Sequence, residues 1–120
     1  MHKIFLGFSI HFSGNKMLEY FDIDTTHPEK ISKFEQLFGC DYIEPGSFEV
    51  YDKDEYKDYG FNVSILEKLL PFKIDSENFS QIDFNLAKSV FYIQTNQIQR
   101  NEAQGIRLLG PFKIDKFIYE

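Results

Sequence analysis

Between Lys3 and Phe12 apolar side chains alternate with smaller or polar ones, so that Ile4, Leu6, Phe8, Ile10 and Phe12 fall on one face. That period of two predicts a strand. Its other face carries Phe5, Gly7 and Ser9 and is expected to be partly covered. Ser13-Gly14-Asn15 interrupts the alternation and opens a short helix reaching Tyr20, with Met17, Leu18 and Phe21 as its apolar positions. Asp22-Ile23-Asp24 is a link, after which the period becomes helical: Ile31, Phe34, Leu37 and Phe38 form one stripe. Thr26 followed by Glu29 has capping-box spacing, and Pro28 suits a first turn, where its missing N–H is no loss. With Gly39 as the stop, a helix over 27–38 is expected.

Beyond Gly39 the periodicity fades. Tyr42 and Ile43 read as a short extended piece, Pro45-Gly46 as a turn, and Phe48 to Tyr51 as a brief strand or a tethered loop. Residues 52–60 are too polar to bury. Asn62 or Ser64 begins a helix that Pro71 stops after Leu70, and Asp75 or Ser76 caps another over 76–87, with Phe79, Ile82 and Leu86 as its buried stripe. Ser89 to Thr95 is rich in β-branched and aromatic residues and predicts a strand. A polar connection over 95–104 leads to further strand candidates at 106–114 and 116–119, bent at Gly110-Pro111. The likeness of LLPFKID (69–75) to LLGPFKID (108–115) is read as coincidence. Strands at both ends with helices between them predict an α+β fold in one domain over 1–120: an antiparallel sheet with helices packed on one face, a two-layer sandwich.

Composition sharpens this picture. Fourteen Phe and no Trp in 120 residues supply an aromatic core, which excludes a disordered chain. The single cysteine, Cys40, excludes a disulfide framework and a multi-cysteine zinc site, and points to a reducing, cytoplasmic setting. The apolar run near the N-terminus is broken by Gly7, Ser9 and His11 and lacks a small-residue cleavage site, so it reads as strand rather than signal peptide. No run approaches the roughly 20 residues of a membrane span.

Charge changes the picture most. Residues 41–58, DYIEPGSFEVYDKDEYKD, hold seven acids against two lysines, most of the chain's net −6. Residues 60–120 hold seven of each sign. The acidic segment threads Tyr42, Phe48, Tyr51 and Tyr56 between Asp41, Glu44, Glu49, Asp52, Asp54, Glu55 and Asp58, with Tyr59 one step beyond. Such a surface repels nucleic acid and attracts a basic protein, with its tyrosines as anchors. The plain alternative is a solvated acidic face. Segments of this length with little regular structure are usually functional or disordered.

Candidates for chemistry are weak. His2, His11 and His27 are scattered, with no second ligand at metal spacing. Asp22-x-Asp24 and Asp52-x-Asp54 do not continue into a calcium loop, and Tyr56 stands where a third ligand would fall. Cys40 follows a helix stop rather than a helix start that would lower its pKa. No nucleophile elbow or phosphate-cradling glycine loop is present. Glu67-Lys68 is ordinary on an amphipathic helix, and Arg100, Arg107, Lys113 and Lys116 read as solvated sheet-edge residues. Neither enzyme activity, metal nor cofactor is expected.

Five stretches carry a resemblance: KIFLGF (3–8), KMLEYFDIDTT (16–26), KFEQLFGCDYIEPGSF (33–48), LAKSVFYIQT (86–95) and GIRLLGPF (105–112). Covering about half of the chain, in the same order, they resemble the immunity protein 22 family, small proteins encoded beside bacterial polymorphic or contact-dependent toxins. Where that family carries tryptophans, this chain has Phe5 or Leu6 in the first strand and Tyr42 near the acidic turn. The resemblance implies inhibition by stoichiometric binding to a cognate toxin domain, commonly a nuclease, with Asp41, Tyr42, Glu44 and Phe48 carried over by motif. Charge and aromatic content extend the expected toxin-binding set to Glu49, Tyr51, Asp52, Asp54, Glu55, Tyr56, Asp58 and Tyr59. The free protein is expected to be a monomer that contacts neither nucleic acid nor membrane. The other readings are a small metal-dependent hydrolase using the acidic segment, and a DNA-mimicking inhibitor of another nucleic-acid-binding protein.

Overall fold

A computed structural model describes residues 2–40 and 42–120. Its strands are β1 (His2–Ser9), β2 (Phe48–Asp52), β3 (Ser89–Gln94), β4 (Glu102–Ala103) and β5 (Ile106–Ile114). They form one antiparallel sheet in the order β2-β3-β1-β5-β4. The helices are α1 (Gly14–Glu19), α2 (Lys33–Phe38) and α3 (Val63–Leu69), with 3-10 turns before and after α3 at Lys53–Tyr56 and Ser76–Phe79. This is the expected α+β class. Among the described residues no helix is long and apolar enough to cross a membrane.

The layering is fuller than the sequence pattern predicts, because both faces of the central strands are apolar and each needs a cover. Ile4, Leu6 and Phe8 of β1 join Val90, Tyr92, Leu109 and Ile114 on one face, beneath Leu66 of α3 and Phe79 of the second 3-10 turn. Phe5, Phe91, Ile93, Ile106 and Leu108 fill the other face, against Met17 of α1 and Phe34 and Phe38 of α2. Helical cover therefore lies on both sides of the sheet. Gly7 stands opposite Phe91, whose ring reaches to within 2.1 Å of where a Cβ would sit. Only glycine lets that ring lie over the β1 backbone.

A bulge keeps β5 in step. Leu6 pairs with Leu109 but Ile4 with Phe112, so β5 spends one residue more than β1 across Gly110-Pro111. Without the extra residue Phe112 and Ile114 would point away from the face that Leu109 occupies. With it, all three pack into the same layer.

Local hydrogen bonds move several boundaries. The helix expected over 27–38 starts at Lys33, because Asp24 Oδ1 accepts from the Thr26 N–H and hydroxyl and so captures the proposed cap. The capping box belongs to Ser32 and Glu35: the Glu35 N–H donates to Ser32 Oγ at 3.1 Å, and the Ser32 N–H to Glu35 Oε1 at 3.3 Å. Gly39 ends the helix in the left-handed region, as expected. The helix expected over 76–87 is reduced to its 3-10 turn, since Asp83 Oδ1 takes the N–H groups of Asn85 and Leu86. Phe79 and Ile82 are buried there, but Leu86 is exposed and Ala87 fills the core in its place. β1 stops at Ser9, whose Oγ accepts from the Phe12 N–H at 2.9 Å and turns the chain. Residues 116–119 form no strand; they fold back so that the Ile118 N–H donates to the Pro71 carbonyl at 2.6 Å.

Candidate functional site

The acidic segment becomes an edge of the sheet. β2 pairs with β3 alone. The Gln94 N–H donates to the Ser47 carbonyl and the Lys53 N–H to the Lys88 carbonyl, so the inward-bonding positions are 47, 49, 51 and 53. The backbone groups of Phe48 and Val50 therefore face outward, and no hydrogen bond among the described residues fills them. Asp52 ends the strand as the cap of the following 3-10 turn, its carboxylate accepting from the Asp54 N–H at 3.1 Å.

Along this edge Glu44, Glu49, Asp54, Glu55 and Asp58 are exposed, and Asp52 is half-buried. None of them forms an ion pair with a described residue. One nearby cation is diverted: Lys53 Nζ donates to the carbonyls of Phe84 (3.3 Å) and Asn85 (3.2 Å). The negative charge is thus left to face solvent. Tyr42 and Tyr59, 61% and 77% exposed, stand at either end of the segment. Asp41 lies outside the described residues.

Two aromatics expected on the surface serve the core instead. Phe48 stacks on Phe21 at 4.2 Å, tying β2 to the layer of α1 and α2. Tyr51 is 4% exposed and packs in the opposite layer. Alternation along β2 sends these side chains to opposite faces, and each face is covered. Tyr56 is half-buried, with its ring 6.4 Å from that of Phe61.

Tyr51 nevertheless shapes the surface. Its hydroxyl donates to Glu49 Oε2 at 3.0 Å, with the Leu69 carbonyl at 3.4 Å. Burial, reinforced by the Glu49 charge, pushes its ionisation far above the usual phenol range. Tyr92, directly across the ladder from Glu49, is pushed up to about 12 by burial and then by the same carboxylate. Tyr56 is raised by burial, then by Glu55 and Glu49. All three phenols hold their protons at neutral pH, and that of Tyr51 is a hydrogen-bond donor. Of these residues the sequence reading misses Tyr92, because only the β2–β3 register brings it beside Glu49.

At the other end of β2, Tyr42, Glu44 and Ser47 share an open polar cleft of about 280 Å³ with His2, Lys3 and Gln94. His2 bridges two partners: its Nε2 lies 2.6 Å from Glu120 Oε1 and its Nδ1 3.0 Å from Gln94 Nε2. Glu120 also accepts from the Phe117 N–H, and chiefly through that bond its carboxyl is held below the ordinary range. These polar groups join the two termini of the described chain to the acidic edge. Nothing in the local sequence around His2 signals that meeting.

Among the described residues no three His, Cys, Asp or Glu side chains gather so as to hold a metal ion. Cys40 is half-buried at the margin of the layer containing α2. Comparison of the chain with family models, with characterised proteins and with solved structures finds no match.

Proposed function

We propose that the protein is a binding module, an immunity protein that neutralises a cognate bacterial toxin by covering it. The observation that carries this reading is the open edge of β2, where carboxylates without cationic partners lie beside unfilled backbone groups. A nuclease toxin must present Lys and Arg to its phosphate substrate, and such a surface is complementary to this edge. Charge attraction would speed encounter, while Tyr42 and Tyr59 would supply contact area that slows dissociation. The outward N–H and C=O groups of Phe48 and Val50 offer main-chain bonds to an added strand. The five-motif resemblance to immunity protein 22 supports the same reading, and no chemistry by the inhibitor itself is required.

The test is binding to the C-terminal domain of the toxin encoded beside the gene. Asp54, Glu55 and Asp58 are exposed, so reversing all three to lysine leaves the core untouched. Asp52 is spared because it caps the 3-10 turn. The association rate should fall about tenfold or more at low salt and lose much of its salt dependence. An association rate equal to that of the unaltered protein would overturn the proposal.

A further inference from the structure

We propose that Glu49, with the phenols of Tyr92 and Tyr119, forms a seat for an arginine side chain of the bound protein. This rests on the reading of the acidic edge as a surface for a basic partner and names the contact at its centre. Glu49 is exposed, but its carboxylate is held in place, since the Tyr51 hydroxyl donates to Oε2 at 3.0 Å while Oε1 has no partner among the described residues. Tyr92 lies opposite Glu49 in the ladder and is 3% exposed. Its hydroxyl makes no hydrogen bond with any described residue, although the ring is packed against Phe72 at 5.2 Å. The hydroxyl is not sealed from solvent, so it presents an open oxygen beside Glu49.

Tyr119 completes the site from the other end of the chain. Its ring stacks on Phe117 at 5.2 Å and 6°, and Phe117 in turn lies 6.4 Å from Tyr92. Cross-strand pairing sets Tyr92 beside Glu49, and the Phe117 ring links Tyr92 to Tyr119. Tyr119 is exposed and leaves ring surface available for stacking.

The chemistry favours guanidinium over ammonium. A planar fork can donate to the carboxylate and to the Tyr92 oxygen together while stacking on an aromatic face. An ammonium is more strongly hydrated and has no flat face to stack. Tyr51 touches no ligand in this scheme; it positions the carboxylate.

The experiment is a nuclear magnetic resonance titration of the whole protein with N-acetyl-arginine amide, its lysine counterpart and its neutral isostere N-acetyl-citrulline amide. Saturable shifts centred on Glu49, Tyr92 and Tyr119 are expected for arginine, with lysine weaker and citrulline silent. Glu49→Gln should weaken arginine binding about tenfold, and Tyr119→Ala severalfold. Both residues are exposed, so neither change threatens the fold. Citrulline or lysine binding as well as arginine, no saturable shift with arginine, or an unaffected Glu49→Gln variant would each overturn the seat. Toxin binding separates the two proposals. If Glu49→Gln has no effect but the triple lysine reversal weakens the complex, the seat fails and the acidic-edge reading stands. If the reversal also has no effect, both fail.

Discussion

Gly7 shows two residue-scale effects in competition. Alanine there would gain about 0.5–1 kcal/mol from reduced backbone freedom. Its methyl carbon would meet the fully buried Phe91 ring at 2.1 Å, and overpacking of this kind costs about 1–3 kcal/mol. Overpacking wins, so Gly7→Ala should lower the urea midpoint; a midpoint at or above the unaltered value would show that Phe91 can move aside. The same scale separates the tyrosines of the acidic segment. Tyr42 and Tyr59 are open to solvent, while Tyr51 is a donor fixed under Glu49. Residue type alone could not distinguish them, because tyrosine suits a core position and a surface anchor equally.

The elements show how local hydrogen bonds decide boundaries. Ser32, not Thr26, caps α2, so Ser32→Ala should cost about 1 kcal/mol in thermal or chemical unfolding. Thr26→Ala should cost less, since it loses only a bond within an exposed turn. Equal losses at both positions would revive the longer helix. Both sites have the same sequence signature, a Ser or Thr followed three residues later by Glu, and Asp24 decides between them by binding Thr26 first. β2 offers a similar contrast. The composition of Phe48 to Tyr51 left a brief strand and a tethered loop both open, and neither its pairing nor its place at the sheet edge was legible. That depends on β3 choosing β1 as its second neighbour, a pairing between residues far apart in the chain.

At the scale of the whole molecule, buried phenols link stability to pH. Tyr92 binds its proton more tightly folded than unfolded, rising from the ordinary 10.0 to about 12, and Tyr51 is raised further. For Tyr92 the contribution, on the order of 2 kcal/mol, is fully present below pH 10 and is lost as pH climbs towards 12, while that of Tyr51 fades over a wider interval. Phenolate absorbance and loss of folded structure should therefore rise together across that interval. Ionisation of every tyrosine in a protein that stays folded would contradict the burial of Tyr51 and Tyr92. At the acid end, Asp24 is held below 3.8, first by the Thr26 hydroxyl, so its stabilisation persists above that value and fades as pH falls through its lowered pKa. Alternating and helical apolar periods, together with the acids crowded into 41–58, determined by sequence alone that this is an α+β protein with a negative face. Only the tertiary structure decided that helices cover both faces of the sheet, that Phe48 and Tyr51 turn inward, and that Glu49 lies across from Tyr92. Periodicity reports which side of an element is apolar. What lies against that side is set by the register of strands distant in sequence, where packing and hydrogen-bond satisfaction are settled together.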